Sequence, residues 1–340
     1  MSAGVEKQFP MTWEQAVEWL REQPDQEALV RACYFDDPLL EAARRFHLSE
    51  EWVETGKRLP KSPEKALDLG AGRGISSYAL AANGFEVTAL EPDPSPLVGA
   101  EAIRNLAAES GLPITVVQEW GERLPFAEGN FSLVHGRQVL HHARNLSALC
   151  KEVARVLKPG GVFIATREHV VDIPEELTVF LAGHPLHHLY GGENAFSLMQ
   201  YVTAIEDAGL LFCEILAPFD SAINYFPATW NQVETLAQEL CPGSSEDTSK
   251  SLRRVYRTPG RLFTFLAIKQ PVVQDEDRDA SWFRQALHSS IVVRNALTDN
   301  LYAMCASLPK PHKNAFGSVL SYSLYAKILR YMRRFRGKRE

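Results

Sequence analysis

Cysteine is scarce in this chain and nowhere paired. The 340 residues hold five, Cys33, Cys150, Cys213, Cys241 and Cys305, odd in number, scattered and without a C-x-x-C. This pattern excludes a disulfide framework and a cysteine zinc site. Long apolar runs are missing too, and none approaches the ~20 residues that cross a bilayer. The first residues include Glu6 and Lys7 and lack the apolar core of a secretory signal, so a reducing cytoplasm is the expected compartment. A general basic excess is also absent, since the net charge is −6. The basic residues concentrate in residues 327–340, which carry +6 and leave −12 elsewhere. An acidic body cannot neutralise phosphates along a duplex, so no nucleic-acid partner is expected. Internal repeats and low-complexity tracts are lacking as well.

What the chain does have is apolar content, 45% of its residues. That suffices for one large domain with additions, or for two. Its most informative stretch is ALDLGAGRG at residues 66–74. Ala66 to Leu69 reads as a short buried strand, and Gly70, Gly72 and Gly74 as a tight turn that can touch a ligand because glycine lacks Cβ. Tyr78, Ala79 and Ala82 give a helical face, Phe85 to Leu90 a second strand, and Glu91 ends it. A carboxylate there accepts hydrogen bonds from ribose hydroxyls. Dinucleotide sites prefer G-x-G-x-x-G. Here the spacing is G-x-G-x-G, with Ile75 where the last glycine would stand.

Further segments follow in order: Leu-Pro-Phe at 124–126, FSLVHGRQVLHH at 131–142 and RVLKPGG at 155–161. With the glycine loop they resemble the class I S-adenosylmethionine (SAM) dependent methyltransferases. The branch is the one that includes ubiquinone and menaquinone biosynthesis enzymes and many small-molecule enzymes. The resemblance covers roughly residues 63–170. It implies SAM as cofactor, with Gly70, Gly72 and Gly74 near its methionine and ribose portions and Glu91 on the ribose hydroxyls. Asp68 is expected to organise the loop and meet the cofactor's amino group. Three positions depart from that branch: Ser132, Trp120 and Asn145 stand where it usually has Asp. For adenine, either Glu119 takes the exocyclic amine or Trp120 stacks on the ring.

The expected fold is α/β, a Rossmann-like seven-stranded, mostly parallel sheet with helices on both faces. Residues 1–62 read as an N-terminal helical cover, with Thr12 capping one helix and Asp37-Pro38 opening another. The cover either lies over the pockets or only shields the sheet. Residues 63–270 form the methyltransferase domain, with acceptor-side insertions in 170–260. A long segment separates two last strands near 211–216 and 263–268. Residues 271–281 read as a linker and 282–336 as a helical, basic tail. That C-terminal appendage either packs as a solvated end or provides peripheral membrane contact.

Methyl transfer to a hydroxyl needs alignment, desolvation and a base near neutral pKa. Seven of ten histidines lie between residues 135 and 188. His142 follows the fourth strand, and the resemblance implies a base role for it. Glu168 and His169 follow the fifth strand, as an orienting carboxylate and a second candidate base. His184, His187, His188, Tyr190, Glu193 and Asn194 surround Gly191-Gly192, and are expected to bind a polar, hydroxylated small-molecule acceptor while the glycines let the loop close. His184, His187, His188 and Glu193 have metal-ligand chemistry. Adjacent histidines on a short segment point different ways, however, so no metal is expected. The expected activity is SAM-dependent methylation of a hydroxyl on a sugar, glycolipid or secondary-metabolite intermediate. Rivals are a catalytically silent SAM-binding scaffold, a nicotinamide-dependent oxidoreductase and a carbon methyltransferase acting on a quinone-like lipid.

Overall fold

A computed structural model describes residues 9–270. The expected linker at 271–281, the helical tail at 282–336 and its basic cluster lie outside the described residues. Strands alternate with helices as the apolar pattern requires: β1 Lys65–Leu69, β2 Glu86–Leu90, β3 Ile114–Val117, β4 Phe131–Arg137 and β5 Leu157–Val171. Then come β6 Phe196–Ser197, β7 Leu210–Leu216 and β8 Arg261–Lys269. The strand order is β3-β2-β1-β4-β5-β8-β7, with β6 pairing β5 off that path. Among the described residues the sheet thus has eight strands rather than the expected seven. The addition is β6, two residues long and parallel to Val170–Val171. Alone β8 runs antiparallel, between β5 and β7.

Central strands are buried on both faces, which is why they read as continuous apolar runs. Leu67, Leu133, Val134, Phe163, Ile164 and Phe265 are fully enclosed. Strand β5 carries an irregularity against β8 between Ala165 and Glu168, and Arg167 there has φ 60°. A bulge of this kind re-aims side chains at a sheet rim. It aims Glu168 at the turn after β4, while Arg167 Nη1 donates to the Ile223 and Phe226 carbonyls at 2.9 and 2.8 Å.

The cover consists of helices Trp13–Arg21, Glu27–Ala32, Leu39–His47 and Glu50–Gly56. Thr12 accepts a hydrogen bond from the Gln15 backbone while the Gln15 side chain returns to Thr12, a reciprocal capping box. Asp37 does not cap the next helix. Pro38 holds the cap position without a side-chain hydrogen bond, and Asp37 instead pairs with Arg21 and Arg73. The crossover helix after β2 starts at Ala100. Ser95 Oγ accepts from the backbones of Leu97 and Val98, and this satisfied turn precedes the helix.

The cover has two packing partners. Tyr34, Leu40, Ala43, Phe46 and Trp52 bury against Ile75, Ala79, Leu80, Leu133 and Ile164. Ala16, Val17, Leu20 and Val30 cluster with Val98, Leu186 and Leu189, which ties the first helix to the insertion after β5. Gly191 and Gly192 serve that contact. A Cβ on Gly191 would lie 2.1 Å from a Phe9 ring carbon, and one on Gly192 2.2 Å from its neighbour Tyr190. They are close-packing glycines, which corrects the expectation of a closing hinge.

Charge also joins cover and sheet. Glu51, 2% exposed, accepts from Arg137 Nε at 2.6 Å and Nη2 at 3.1 Å, and lies 3.7 Å from Arg167 Nη1. Burial pushes the Glu51 carboxyl upward, but the two guanidinium groups outweigh it and hold the pKa below the usual range. Glu51→Gln would leave two enclosed guanidinium groups without a counter-charge. Loss of one partner of a buried pair costs about 3–5 kcal/mol. Urea unfolding followed by circular dichroism is expected to show a loss of that size, and a change below 1 kcal/mol would refute the assignment.

Candidate functional site

The glycine loop leaves β1 in left-handed backbone, with φ of 60°, 54° and 85° at Gly70, Gly72 and Gly74. At Gly70 a Cβ would sit 2.7 Å from Val139 Cγ2, whereas at Gly72 it would meet nothing within 4 Å. Gly72 therefore presents bare backbone to open space, where a ligand can approach. Its N–H donates to Glu91 Oε2 at 2.7 Å, and Asp93 N–H donates to Glu91 Oε1 at 3.0 Å. Burial raises the Glu91 carboxyl to about 7 against those two hydrogen bonds. Loop and carboxylate thus form one unit at the carboxyl ends of β1 and β2.

Asp68 belongs beneath this unit rather than in it. It is 1% exposed, its Oδ2 accepts from Ser77 Oγ at 2.6 Å and its Oδ1 faces His135 Nδ1 at 3.1 Å. Both oxygens are engaged within the core, which corrects the expectation of contact with a cofactor's amino group. Asp68 fixes the helix that follows the loop. Glu119 and Trp120 are exposed past β3. The Trp120 ring lies under the Arg144 guanidinium, 5.2 Å from its centroid.

Arg73 is a feature that the sequence reading passed over. It sits inside the glycine loop, 6% exposed, and its Nη1 donates to the carbonyls of Tyr34 and Asp36 at 3.0 and 3.1 Å. Its Nη2 reaches Asp37 Oδ1 at 2.5 Å. The loop is thereby latched to the cover. Nothing local signals this, because the acceptors lie almost forty residues away and two of them are backbone.

The second half of the site surrounds Glu168. This fully buried carboxylate accepts from the backbone N–H groups of Val139, Leu140 and His141, each at 3.0 Å. It also accepts from His141 Nδ1 at 2.8 Å. It is enclosed and saturated, so it cannot take a substrate proton. Glu168 is therefore a positioning residue and not a catalytic one, and the ring it positions is His141. With Nδ1–H donated, His141 presents Nε2 outward. His169 behaves alike, donating Nδ1–H to the Gly260 carbonyl at 2.7 Å. Burial, then the neighbouring His141, lowers His169 to about 3. That value suits a permanently neutral ring and not a base working near neutrality.

Glu193 faces both rings. Its Oε2 lies 3.7 Å from His141 Nε2, and its Oε1 lies 3.7 Å from His184 Nε2 and accepts from the Tyr190 hydroxyl. Burial raises Glu193, but His142, His184, His141 and the Tyr190 hydroxyl outweigh it and hold the carboxyl below its usual value. His142 is exposed, lies tilted against His141 with ring centroids 4.2 Å apart, and donates Nδ1–H to the Gly192 carbonyl at 2.9 Å. Its Nε2 is thereby left as a proton acceptor. The other two histidines of the segment turn away: His187 packs on Phe9 and His188 on Trp19. Asn194 is half-buried. The polar group is therefore His141, His169, His184, Tyr190 and Glu193, with His142 at its edge.

Comparison with known proteins finds relatives over part of the chain. Residues 67–165 match the family described as a methyltransferase domain. An uncharacterized methyltransferase of Synechocystis is 39% identical over 108 residues, 31% of this chain and 48% of that one. A ubiquinone biosynthesis O-methyltransferase of Methylobacterium nodulans is 30% identical over 156 residues, 45% of this chain and 61% of the relative. A sarcosine/dimethylglycine N-methyltransferase of Aphanothece halophytica is 31% identical over 188 residues, 54% and 65% of the two chains. The chain thus spans less than two thirds of each of these relatives. A solved structure of a putative sarcosine dimethylglycine methyltransferase from Galdieria sulphuraria aligns over 75% of this chain and 98% of its own, at 20% identity and TM-score 0.48.

The contrast between two glycines gives a test. Gly72→Ala places a side chain at positive φ without a clash and is expected to cost about 1–2 kcal/mol. Gly70→Ala adds a displaced Val139 and is expected to cost about 1–3 kcal/mol more. Thermal unfolding of both variants checks the ranking, and equal losses would contradict the loop geometry.

Proposed function

We propose that this chain, which carries a class I SAM-dependent methyltransferase domain, moves a methyl group to an oxygen of a small polar acceptor. The observation that carries the cofactor reading is the Gly72–Glu91 unit. Bare backbone in open space lies beside a buried carboxylate whose ionisation falls near neutrality. The loop would hold the methionine and ribose portions, and Glu91 would accept from ribose hydroxyls. When bound, SAM supplies an electrophilic methyl on a sulfonium, so the protein's task is alignment and exclusion of water.

The chain's own residues divide that task. Arg73, Asp37, Glu51, Arg137 and Arg167 hold the cover against the loop and the sheet rim. His142 Nε2 stands as acceptor for the hydroxyl proton, with Gly192 fixing its tautomer. Tyr190, Glu193 and His184 supply donors and acceptors for a hydroxylated acceptor molecule, such as a sugar, glycolipid or secondary-metabolite intermediate. Glu119 and Trp120 remain the residues proposed for adenine. One curated relative is named for O-methylation and another for N-methylation, so the relatives leave the methylated atom open. The proton-accepting histidine at the rim favours oxygen, because a carbon acceptor of the quinone type would need an apolar surround.

Calorimetry with S-adenosylhomocysteine, with NAD as control, tests the cofactor reading. Micromolar-range binding of the former alone, weakened in Glu91→Ala, is expected; binding of NAD instead would overturn it. The neutral Glu91 carboxyl is the poorer acceptor, so affinity should rise with pH. With a free-state value of about 7, the gain from pH 6 to pH 8 is about tenfold. A flat profile would remove Glu91 from the ribose site. Once an acceptor is found by transfer of labelled methyl, His142→Ala is expected to lower kcat by about 10²–10⁴-fold with S-adenosylhomocysteine binding unchanged. Full activity in that variant would exclude the base role.

A further inference from the structure

We propose that His141, His169 and Glu193 bind a divalent transition-metal ion of the zinc class at the rim of β4 and β5. One ligand atom from each of the three lies within 4.8 Å of the others. The two histidines come from different elements, the turn after β4 and the end of β5, and Glu193 from the insertion. This is not the histidine run of residues 184–188 that the sequence brought forward.

Three observations carry the site beyond proximity. First, each ring is held in the tautomer a ligand needs. His141 donates Nδ1–H to Glu168 at 2.8 Å and His169 donates Nδ1–H to the Gly260 carbonyl at 2.7 Å. A metal-bound histidine almost always passes its other N–H to a carboxylate or carbonyl in this way. Second, these tautomers leave lone pairs facing lone pairs. In the neutral ring that donates Nδ1–H, His141 Nε2 is a lone pair, and it stands 3.7 Å from Glu193 Oε2. Among the described residues His169 Nε2 makes no hydrogen bond. A cation at their centre resolves that juxtaposition. Third, the carboxylate is braced independently: Tyr190 donates to its Oε1, so Oε2 stays available.

The donor set names the ion class. Two imidazoles and one carboxylate suit zinc and its first-row neighbours, whereas magnesium and calcium prefer oxygen throughout. Three protein ligands leave a fourth position open. Ligands at ~2.1 Å in a tetrahedron stand ~3.4 Å apart, so the three side chains would draw together by up to roughly 1.4 Å on binding. His142 adjoins the cluster, its ring centroid 4.2 Å from that of His141. The natural occupant of the open position is an acceptor oxygen. That last point rests on the methyltransferase reading; the ion site itself does not.

The test uses the full chain, untagged and stripped with a chelator. Cobalt(II) titration is expected to give one equivalent with visible absorption bands of a low-coordinate site, displaced by one equivalent of zinc(II). Glu193→Gln and His169→Gln are each expected to weaken zinc binding at least tenfold. His188→Ala, at an exposed histidine packed on Trp19, is expected to leave it unchanged. Circular dichroism and S-adenosylhomocysteine binding measured on the same samples separate an unfolded variant from a ligand loss. They also separate failure of the ion site from failure of the cofactor reading. Absence of a stoichiometric site in folded wild-type protein, or binding that survives both ligand variants, would overturn the proposal.

Discussion

The rim of this sheet depends on one buried carboxylate. Glu168 gathers three consecutive backbone N–H groups and a histidine ring around a single charge. Those N–H groups belong to the turn that leaves β4, and without an acceptor each would be an unsatisfied buried donor. The bulge in β5 aims Glu168 at them. From that arrangement follow the path of residues 139–142, the orientation of His141, and the exposed position of His142 just beyond. Burial alone raises the Glu168 pKa, and the backbone donors work against it.

The sequence made the cofactor half legible and the acceptor half only partly so. Residues 66–74 and Glu91 are local signals: a strand, a turn and a terminal acid close in the chain, whose spacing carries the geometry. The cap at Thr12 is a local signal of the same kind. Glu168 was visible as a rim carboxylate that orients a histidine. Choosing between His141 and His142 required knowing which ring faces inward, and adjacent residues in a tight turn face opposite ways. Gly191-Gly192 misled because small residues mark hinges and close packing alike, and only the position of Phe9 distinguishes the two.

Arg73 and Asp68 show the same limit from opposite sides. Arg73 occupies a variable place in the glycine pattern, so nothing in the motif gives it weight. Its partners are two backbone carbonyls and a carboxylate in the cover. Asp68 occupies a place the motif does emphasise, yet Ser77 and His135 enclose it. Both roles are set by residues distant in sequence, where pattern carries no information.

The latch at Arg73 has a thermodynamic side. One guanidinium belongs to the loop and all three of its acceptors belong to the cover. Loop and cover therefore share a free energy of interaction. Linkage makes that term reciprocal: a molecule that steadies the loop raises the work of lifting the cover, and one held beneath the cover steadies the loop by the same amount. Occupancy at one end of the site is thereby communicated to the other without any change of fold.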